Sequence, residues 1–192
     1  YRHYHINDSG DGPFIYITDA YGENTKRIEI NGFVPQDVED LAIGLCPHND
    51  DKQCLFVADV GDNDEKRDTV KIVVIEEFES FPSVVEPVKI IELKYPDGSH
   101  NNEGIAIHRN GDLYTVTKKF EIKTTTAFPA GVYKLSREQM NIQSRSPILL
   151  DRIGSIDFPA LLADSEFYGQ IITAFDISPS GEQLLFLTYT NA

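Results

Sequence analysis

Asp37-Val38-Glu39-Asp40-Leu41-Ala42-Ile43 decides the fold, because this phrase, DVEDLAI, returns twice more along the chain. It is followed by LFVADVGDN (Leu55 to Asn63). HNNEGIAI (His100 to Ile107) is followed by GDLYTVTKKF (Gly111 to Phe120), and ITAFDISPSG (Ile172 to Gly181) by QLLFLTYTNA (Gln183 to Ala192). Each copy joins acidic or amide residues to a short apolar strand, a turn rich in Asn, Asp, Gly or Pro, and a second β-rich run that ends in polar groups. Recurrence at a period well above that of a hairpin marks blades or coils.

Outward from these phrases nearly every segment reads as strand. FIYITDA, KRIEI, LAIGL, CLFVADV, TVKIVVIEE, VKIIELKY, GIAIHR, DLYTVTK, GVYKL and QLLFLTY are short and rich in β-branched and aromatic residues, with turn formers at NDSGDG, PDG, RNG and SPSG between them. Only Ser136 to Met140, with Ser136 as cap, and Pro159 to Ser165 carry a helical signal. The class is all-β. A sandwich also has many short strands, so the repeat chooses: copies roughly 60 to 70 residues apart, with acidic residues at one end of corresponding strands, predict a β-propeller with long blade connections at Phe78 to Pro87 and Thr124 to Ala130. A complete ring of this kind has about six blades, and residues 1–192 hold about three to four as one partial domain. The expectation is that the polypeptide continues or that another chain completes the ring, since a half-built blade leaves an open edge. Tyr1 in place of Met adds the expectation that an upstream segment or leader has been removed.

Composition narrows the function. The chain has 192 residues, 41% hydrophobic and 25% charged, the ordinary globular range. A formal net charge of -14 repels phosphate backbones, which speaks against nucleic acid, and no apolar run is long enough to cross a bilayer. Clustered carboxylates suit a hard cation such as Ca²⁺, and acidity also serves solubility. Cys46 and Cys54, the only cysteines, bracket the loop PHNDDKQ between two β segments, where a disulfide closes easily and implies an oxidising compartment. The rival is a metal pair with His48, which lacks the second ligand pair of a zinc site. Asn7-Asp8-Ser9 is an N-glycosylation sequon.

INDSGDGPFIYITDAYG, DVEDLAIG, LFVADVGDN, KYPDGSHNNEGIAI, LYTVTK and DISPSGEQLLFLTY resemble, in order, the segments of a secreted and largely uncharacterised six-bladed β-propeller family that reads HNDSG, DWEDIA, YVGDIGDN, YPDG.HN.EAL, LYLVTK and DISPDG. A looser similarity extends to esterase-like phytase and gluconolactonase-type propellers, in which Glu, Asp and Asn of inner strands face a central metal. The resemblance implies a propeller in an extracellular setting. Ile6 and Val38 stand where that family has His and Trp.

Side chains alternate along a strand, so acidic groups at strand ends converge only where several blades meet. The candidates are Asp8, Glu39, Asp40, Asp59, Asp62, Asn63, Asn102, Glu103 and Asp176, with Glu39, Asp59, Asp62, Asn102, Glu103 and Asp176 as the metal set. Glu39 and Glu103 precede equivalent strands and are the sharpest pair. Asp59 and Lys118 end equivalent runs, and a Lys there neutralises an acidic ring. Glu39, Glu103 and His100 are the candidates for acid–base work. The alternative is that these groups only bond the backbone of neighbouring blades. VGDND (Val60 to Asp64) lacks the closing Glu and flanking helices of an EF-hand and reads as a tight turn. Ser9 and Ser99 lie in no nucleophile elbow. The expected function is an extracellular binding or structural module, Ca²⁺-stabilised, that assembles with itself, another protein or carbohydrate. The alternative is a metal-dependent hydrolase of a lactone, ester or phosphoester.

Overall fold

A computed structural model describes residues 1–189. The chain is all-β, built as successive antiparallel sheets. β1 (Arg2–His5), β2 (Phe14–Asp19) and β3 (Lys26–Ile30) form the first. β4 (Val38–Cys46), β5 (Asn49–Asp59), β6 (Val70–Glu76), the two-residue β7 (Val84–Val85) and β8 (Lys89–Lys94) follow. The next stretch holds β9 (Asn102–Ile107), β10 (Leu113–Thr117), a small hairpin of β11 (Phe120–Glu121) and β12 (Thr126–Ala127), β13 (Ala130–Leu135), a turn of helix α1 (Arg137–Asn141), β14 (Ile148–Leu149) and β15 (Asp151–Ile156). A second short helix α2 (Phe158–Leu161) and a 3₁₀ turn (Phe167–Gln170) lead to the hairpin of β16 (Ile172–Ile177) and β17 (Leu184–Thr188).

The spatial orders are β1-β2-β3-β7, β14-β8-β6-β5-β4, β15-β13-β10-β9 and β16-β17. In the second and third sheets the chain enters at one edge and meanders to the other. The entry strands lie side by side, β9 packed against β4 on one flank and β16 on the other. The exit edges are fastened by a device that the sequence hides. β7, in the connection of the second sheet, pairs in parallel with β3 of the first through Glu29↔Val84 and Ile30↔Val85, and β14 does the same for β8 through Leu93↔Ile148. Each connection thereby covers an edge that would otherwise expose unpaired backbone groups. The exit edge of the third sheet, β15, has no such cover among the described residues, and β1, β4, β9, β16 and β17 are likewise edge strands.

The sheets stack face to face, and the second is buried on both faces. Ile72 and Val74 of β6 point with Phe56 and Ile91 to the core shared with Leu113, Tyr133 and Leu135 of the third sheet. Val73 and Ile75, one residue out of phase, join Leu55 and Val57 against Ile15, Ile28 and Ile30 of the first. This is why VKIVVI reads as a continuous apolar run, not an alternating one. Each such fully buried Ile, Leu or Phe stabilises the fold by roughly 1.5–3 kcal/mol. A third core gathers Val116, Ile172, Phe175 and Phe158, with Phe175 stacked on Phe186 at 5.2 Å. The helix turn forms where Ser136 predicts it, with a capping box between Ser136 and Gln139. Cys46 and Cys54 are joined as a disulfide across the β4–β5 hairpin, with Cα atoms 4.9 Å apart.

Candidate functional site

A single irregularity recurs at the top of the three entry strands. Val38 pairs with Asp59 and Asp40 with Ala58, which leaves Glu39 without a partner. Asn102 pairs with Thr117 and Gly104 with Val116, which leaves out Glu103. Ile172 pairs with Thr188 and Ala174 with Leu187, which leaves out Thr173. A β-bulge inserts one residue and re-aims its side chain. Here it takes Glu39 and Glu103 out of the alternation of their strands, on neighbouring strands where the charge of Glu103 acts on Glu39.

Around Glu39 the loops supply two more carboxylates. Oxygens of Asp8, Asp37 and Glu39 all lie within 4.8 Å of one another, a spacing that one cation can span. Gly61 makes this approach possible, since a Cβ there would collide with Glu39 Oε1 and Asp37 Oδ2. Burial pushes the Glu39 carboxyl up to about 8, and the charges of Glu103, Asp8 and Asp37 add to the effect. Asp37 is raised as well, first by burial and then by Asp8.

Glu103 sits in different company. Lys118 Nζ donates to Glu103 Oε1 at 2.7 Å and to Tyr189 Oη at 2.9 Å. Burial lowers the Lys118 pKa, yet its bonds to Glu103 and Tyr189 outweigh this and leave it raised. Asn101 braces the same corner: its Nδ2 donates to Asn63 Oδ1 at 3.2 Å and to Glu103 Oε1 at 3.3 Å, and its Oδ1 accepts from Asp62 N at 2.8 Å.

The remaining candidates take other places. Asp59 is fully buried beneath Asp37: its Oδ1 accepts from Asp37 N at 2.8 Å and from Arg67 Nη1 at 3.1 Å, while Oδ2 has no partner among the described residues. Asp62 Oδ2 accepts from Arg67 N at 2.7 Å, closing the loop after β5. Asn102 is buried with its side chain committed: Nδ2 donates to Tyr95 Oη at 3.1 Å and to Thr115 Oγ1, and Oδ1 accepts from Gly104 N at 2.9 Å. Asp40 stitches two entry strands together, Oδ2 accepting from Ile105 N at 2.7 Å, and burial raises its carboxyl to about 6. Asp176 is exposed lower on β16, near enough for its charge to act on Asp40. The His100 ring turns to Asp97 Oδ1 at 3.0 Å and Tyr133 Oη at 3.1 Å, with Tyr95 edge-on, and so belongs to the rim of the third sheet. Asn7 is exposed and donates to Asp11 Oδ2 at 2.8 Å.

Two expectations need revision. The counterpart of Asp59 in the ladder is Thr117, since Val38↔Asp59 matches Asn102↔Thr117, and Lys118 lies a step further on. Asp59 and Lys118 are each the first charged residue after an apolar run, and only the ladder shows that they are one position out of step. Asp37 and Arg67 were also missed as site residues. Asp37 lies two positions before Glu39, which in a regular strand is the same face, but only a pairing partner reveals that the strand begins after it. The wide spacing between Arg67 and Asp59 carries no local signal.

No family model matches the chain, no curated protein matches it and no solved structure matches it.

Proposed function

We propose that this chain is part of an extracellular β-propeller that acts as a binding module, with a divalent cation of the Ca²⁺ type held by Asp8, Asp37 and Glu39 at the hub. The observation that carries this reading is the bulge repeated at one position of three adjacent entry strands. It supports a radial arrangement, because the three entry strands lie side by side and each carries its bulge at the same place, at Glu39, Glu103 and Thr173. The four-stranded meanders and their order in the chain fit blades, as does the likeness to secreted propellers. The Cys46–Cys54 disulfide fits an oxidising compartment.

The donor set suits a hard cation. Three carboxylates within reach of one point provide oxygen ligands, Glu103 lies beside them, and water completes the six to eight oxygens that Ca²⁺ takes at roughly 2.3–2.6 Å. A cation there offsets the burial and, after it, the mutual repulsion that raise the Glu39 carboxyl. Asp37 also lines a cleft of about 690 Å³ with Asn63 and Arg67, where hydroxyl or carboxylate groups of a partner protein or carbohydrate find both donors and acceptors. Calorimetric titration of the chain with CaCl₂ tests the reading. Saturable uptake that disappears in Asp37→Asn with Glu39→Gln is the expected result; no uptake by the unmodified chain removes it.

A second reading, a metal-dependent hydrolase of a lactone, ester or phosphoester, is favoured by one observation. A carboxyl raised to about 8 exchanges its proton near neutral pH, as a general acid or base must. Turnover of a lactone and phosphomonoester panel with added Ca²⁺, abolished in Glu39→Gln, selects this reading over the binding module.

A further inference from the structure

Beneath the three carboxylates lies a buried ion pair, Asp59 with Arg67, whose side chains are 0% and 8% exposed. Burying two charges costs about as much as their attraction returns, so the pair is explained by what its other bonds hold. Asp59 Oδ1 accepts from Asp37 N at 2.8 Å and from Gln36 N at 3.3 Å, besides Arg67 Nη1 at 3.1 Å. Arg67 Nη1 donates also to Gly61 O at 2.7 Å, and Nη2 to Asp59 O at 3.2 Å. Gly61 N in turn donates to Asp37 O at 3.0 Å. Asp37 is thus gripped at its N–H by Asp59 and at its carbonyl by Gly61, and Arg67 ties the two grips together. The placement of these two residues sets the carboxylate cluster, since Glu39 Oε1 and Asp37 Oδ2 lie where a Gly61 Cβ would be.

The third sheet builds the same corner without a charged clamp. There the counterpart of Asp59 is Thr117, whose Oγ1 accepts from Gly131 N at 2.8 Å. The bond that matches Gly61 N to Asp37 O runs from Lys118 N to Asn101 O at 2.9 Å, one residue after Thr117. In the second sheet it comes two residues after Asp59, and the extra residue is Val60. This longer turn is the one that carries Arg67, whose backbone is locked as well: its N donates to Asp62 Oδ2 at 2.7 Å and its O accepts from Ser99 Oγ at 2.8 Å. Asp59 Oδ2 and Arg67 Nε are buried without a partner among the described residues, so the pair does not satisfy all of its own polar atoms. An ion pair is not needed to make this corner; it is present where the carboxylates gather.

We infer that Asp59 and Arg67 are positioning residues of the cation site and set its preference for Ca²⁺ over Mg²⁺. Their charges cancel, so what they bring to a bound ion is geometry. Ca²⁺ takes an open shell of oxygens, whereas Mg²⁺ draws its ligands in to roughly 2.0–2.1 Å in a near-octahedral shell. With Asp37 pinned at both its N–H and its carbonyl, the cluster cannot contract around the smaller ion. The planar fork of Arg67 is required: one nitrogen reaches both Asp59 Oδ1 and Gly61 O while the other reaches Asp59 O, which an ammonium on a flexible stem does not reproduce. The inference rests on the cation reading above and names what gives that site its selectivity.

Calorimetric titration with CaCl₂ and, separately, with MgCl₂ tests this on three forms of the full chain. They are the unmodified chain, Arg67→Lys, which keeps the charge and loses the fork, and Asp59→Asn with Arg67→Gln, which buries no unpaired charge. Thermal unfolding without metal confirms that each form is folded at the temperature of titration, and either variant alone decides. The expected result is Ca²⁺ binding weakened roughly tenfold or more, with Mg²⁺ binding, the weaker of the two in the unmodified chain, changed far less, so that the ratio of the affinities falls. A pair that serves only as scaffolding lowers the unfolding temperature and leaves that ratio where it was, and this outcome overturns the inference. So do equal Ca²⁺ and Mg²⁺ affinities in the unmodified chain, or unchanged Ca²⁺ affinity in the variants, either of which leaves the cation reading standing. Absence of uptake by the unmodified chain removes both.

Discussion

Glu39 and Glu103 occupy equivalent bulges on neighbouring strands, yet one is neutralised from within and the other is not. Lys118 closes the Glu103 corner as an ion pair whose side chains are 6% and 13% exposed. The Glu39 corner holds Asp8 and Asp37 instead and, among the described residues, Glu39 makes no ion pair; its relief comes from a proton or from a cation in solution. The backbone device is the same, so the first residue of the following turn decides the chemistry: Lys118 after β10, apolar Val60 after β5. The proposed cation site therefore falls on the side where the protein supplies no positive charge of its own.

The largest expected break in this comparison is Lys118→Met. It leaves Glu103 buried without its cation and lowers unfolding free energy by about 3 kcal/mol in denaturant titration, the usual cost of stripping one partner from a buried pair. Adding Glu103→Gln recovers most of the loss. Unchanged stability of the single variant would mean that the pair is exposed in solution.

Gly61→Ala comes next. Its methyl group meets the carboxylates of Asp37 and Glu39, so we expect about 1–3 kcal/mol of destabilisation together with loss of Ca²⁺ uptake, read by thermal unfolding with and without CaCl₂. Retention of the full calcium response excludes the close approach.

The pH dependence sharpens the contrast further. The folded Glu39 carboxyl is raised to about 8 and that of Asp40 to about 6, above the ordinary carboxylate values of the unfolded chain, so the folded state binds more protons. Their contribution is fully present below about pH 4, where both states are protonated, and is lost as pH rises, through about 6 for Asp40 and about 8 for Glu39. Stability should fall between pH 5 and pH 8, on the order of 1–3 kcal/mol after allowing for the partial exposure of Glu39. Glu39→Gln should flatten the upper part of that fall, and millimolar Ca²⁺ should do the same in the unmodified chain. A profile that rises through this window contradicts the assignment. The smallest effect belongs to Asp8→Asn. Exposed as it is, Asp8 should change stability by less than about 0.5 kcal/mol while weakening Ca²⁺ binding several-fold by calorimetry.

The pair at the centre of this comparison was legible in the chain, because Glu before Leu-Ala-Ile and Glu before Ile-Ala-Ile is a local repeat. Its mechanism was not: a bulge exists only relative to the strand opposite, and nothing in DVED or NNEG says which residue the ladder skips. The disulfide was legible since a short polar loop between two strands brings its ends together. Asn102 shows the reverse failure, a residue of ligand type whose three partners, Tyr95, Thr115 and Gly104, come from packing that sequence spacing does not display. β7 and β14 were unreadable for a different reason. Two residues set among prolines, PSVVEP and SPILL, carry no period, and their pairing partners lie in the preceding sheet.

Those two short strands lay the sheets like shingles. Each layer reaches back to pin the rim of the layer before it, so detaching any one of them also frees the border of its predecessor. Cleavage within Phe81 to Val88 should therefore loosen the region around Lys26–Ile30, although the cut falls in another sheet.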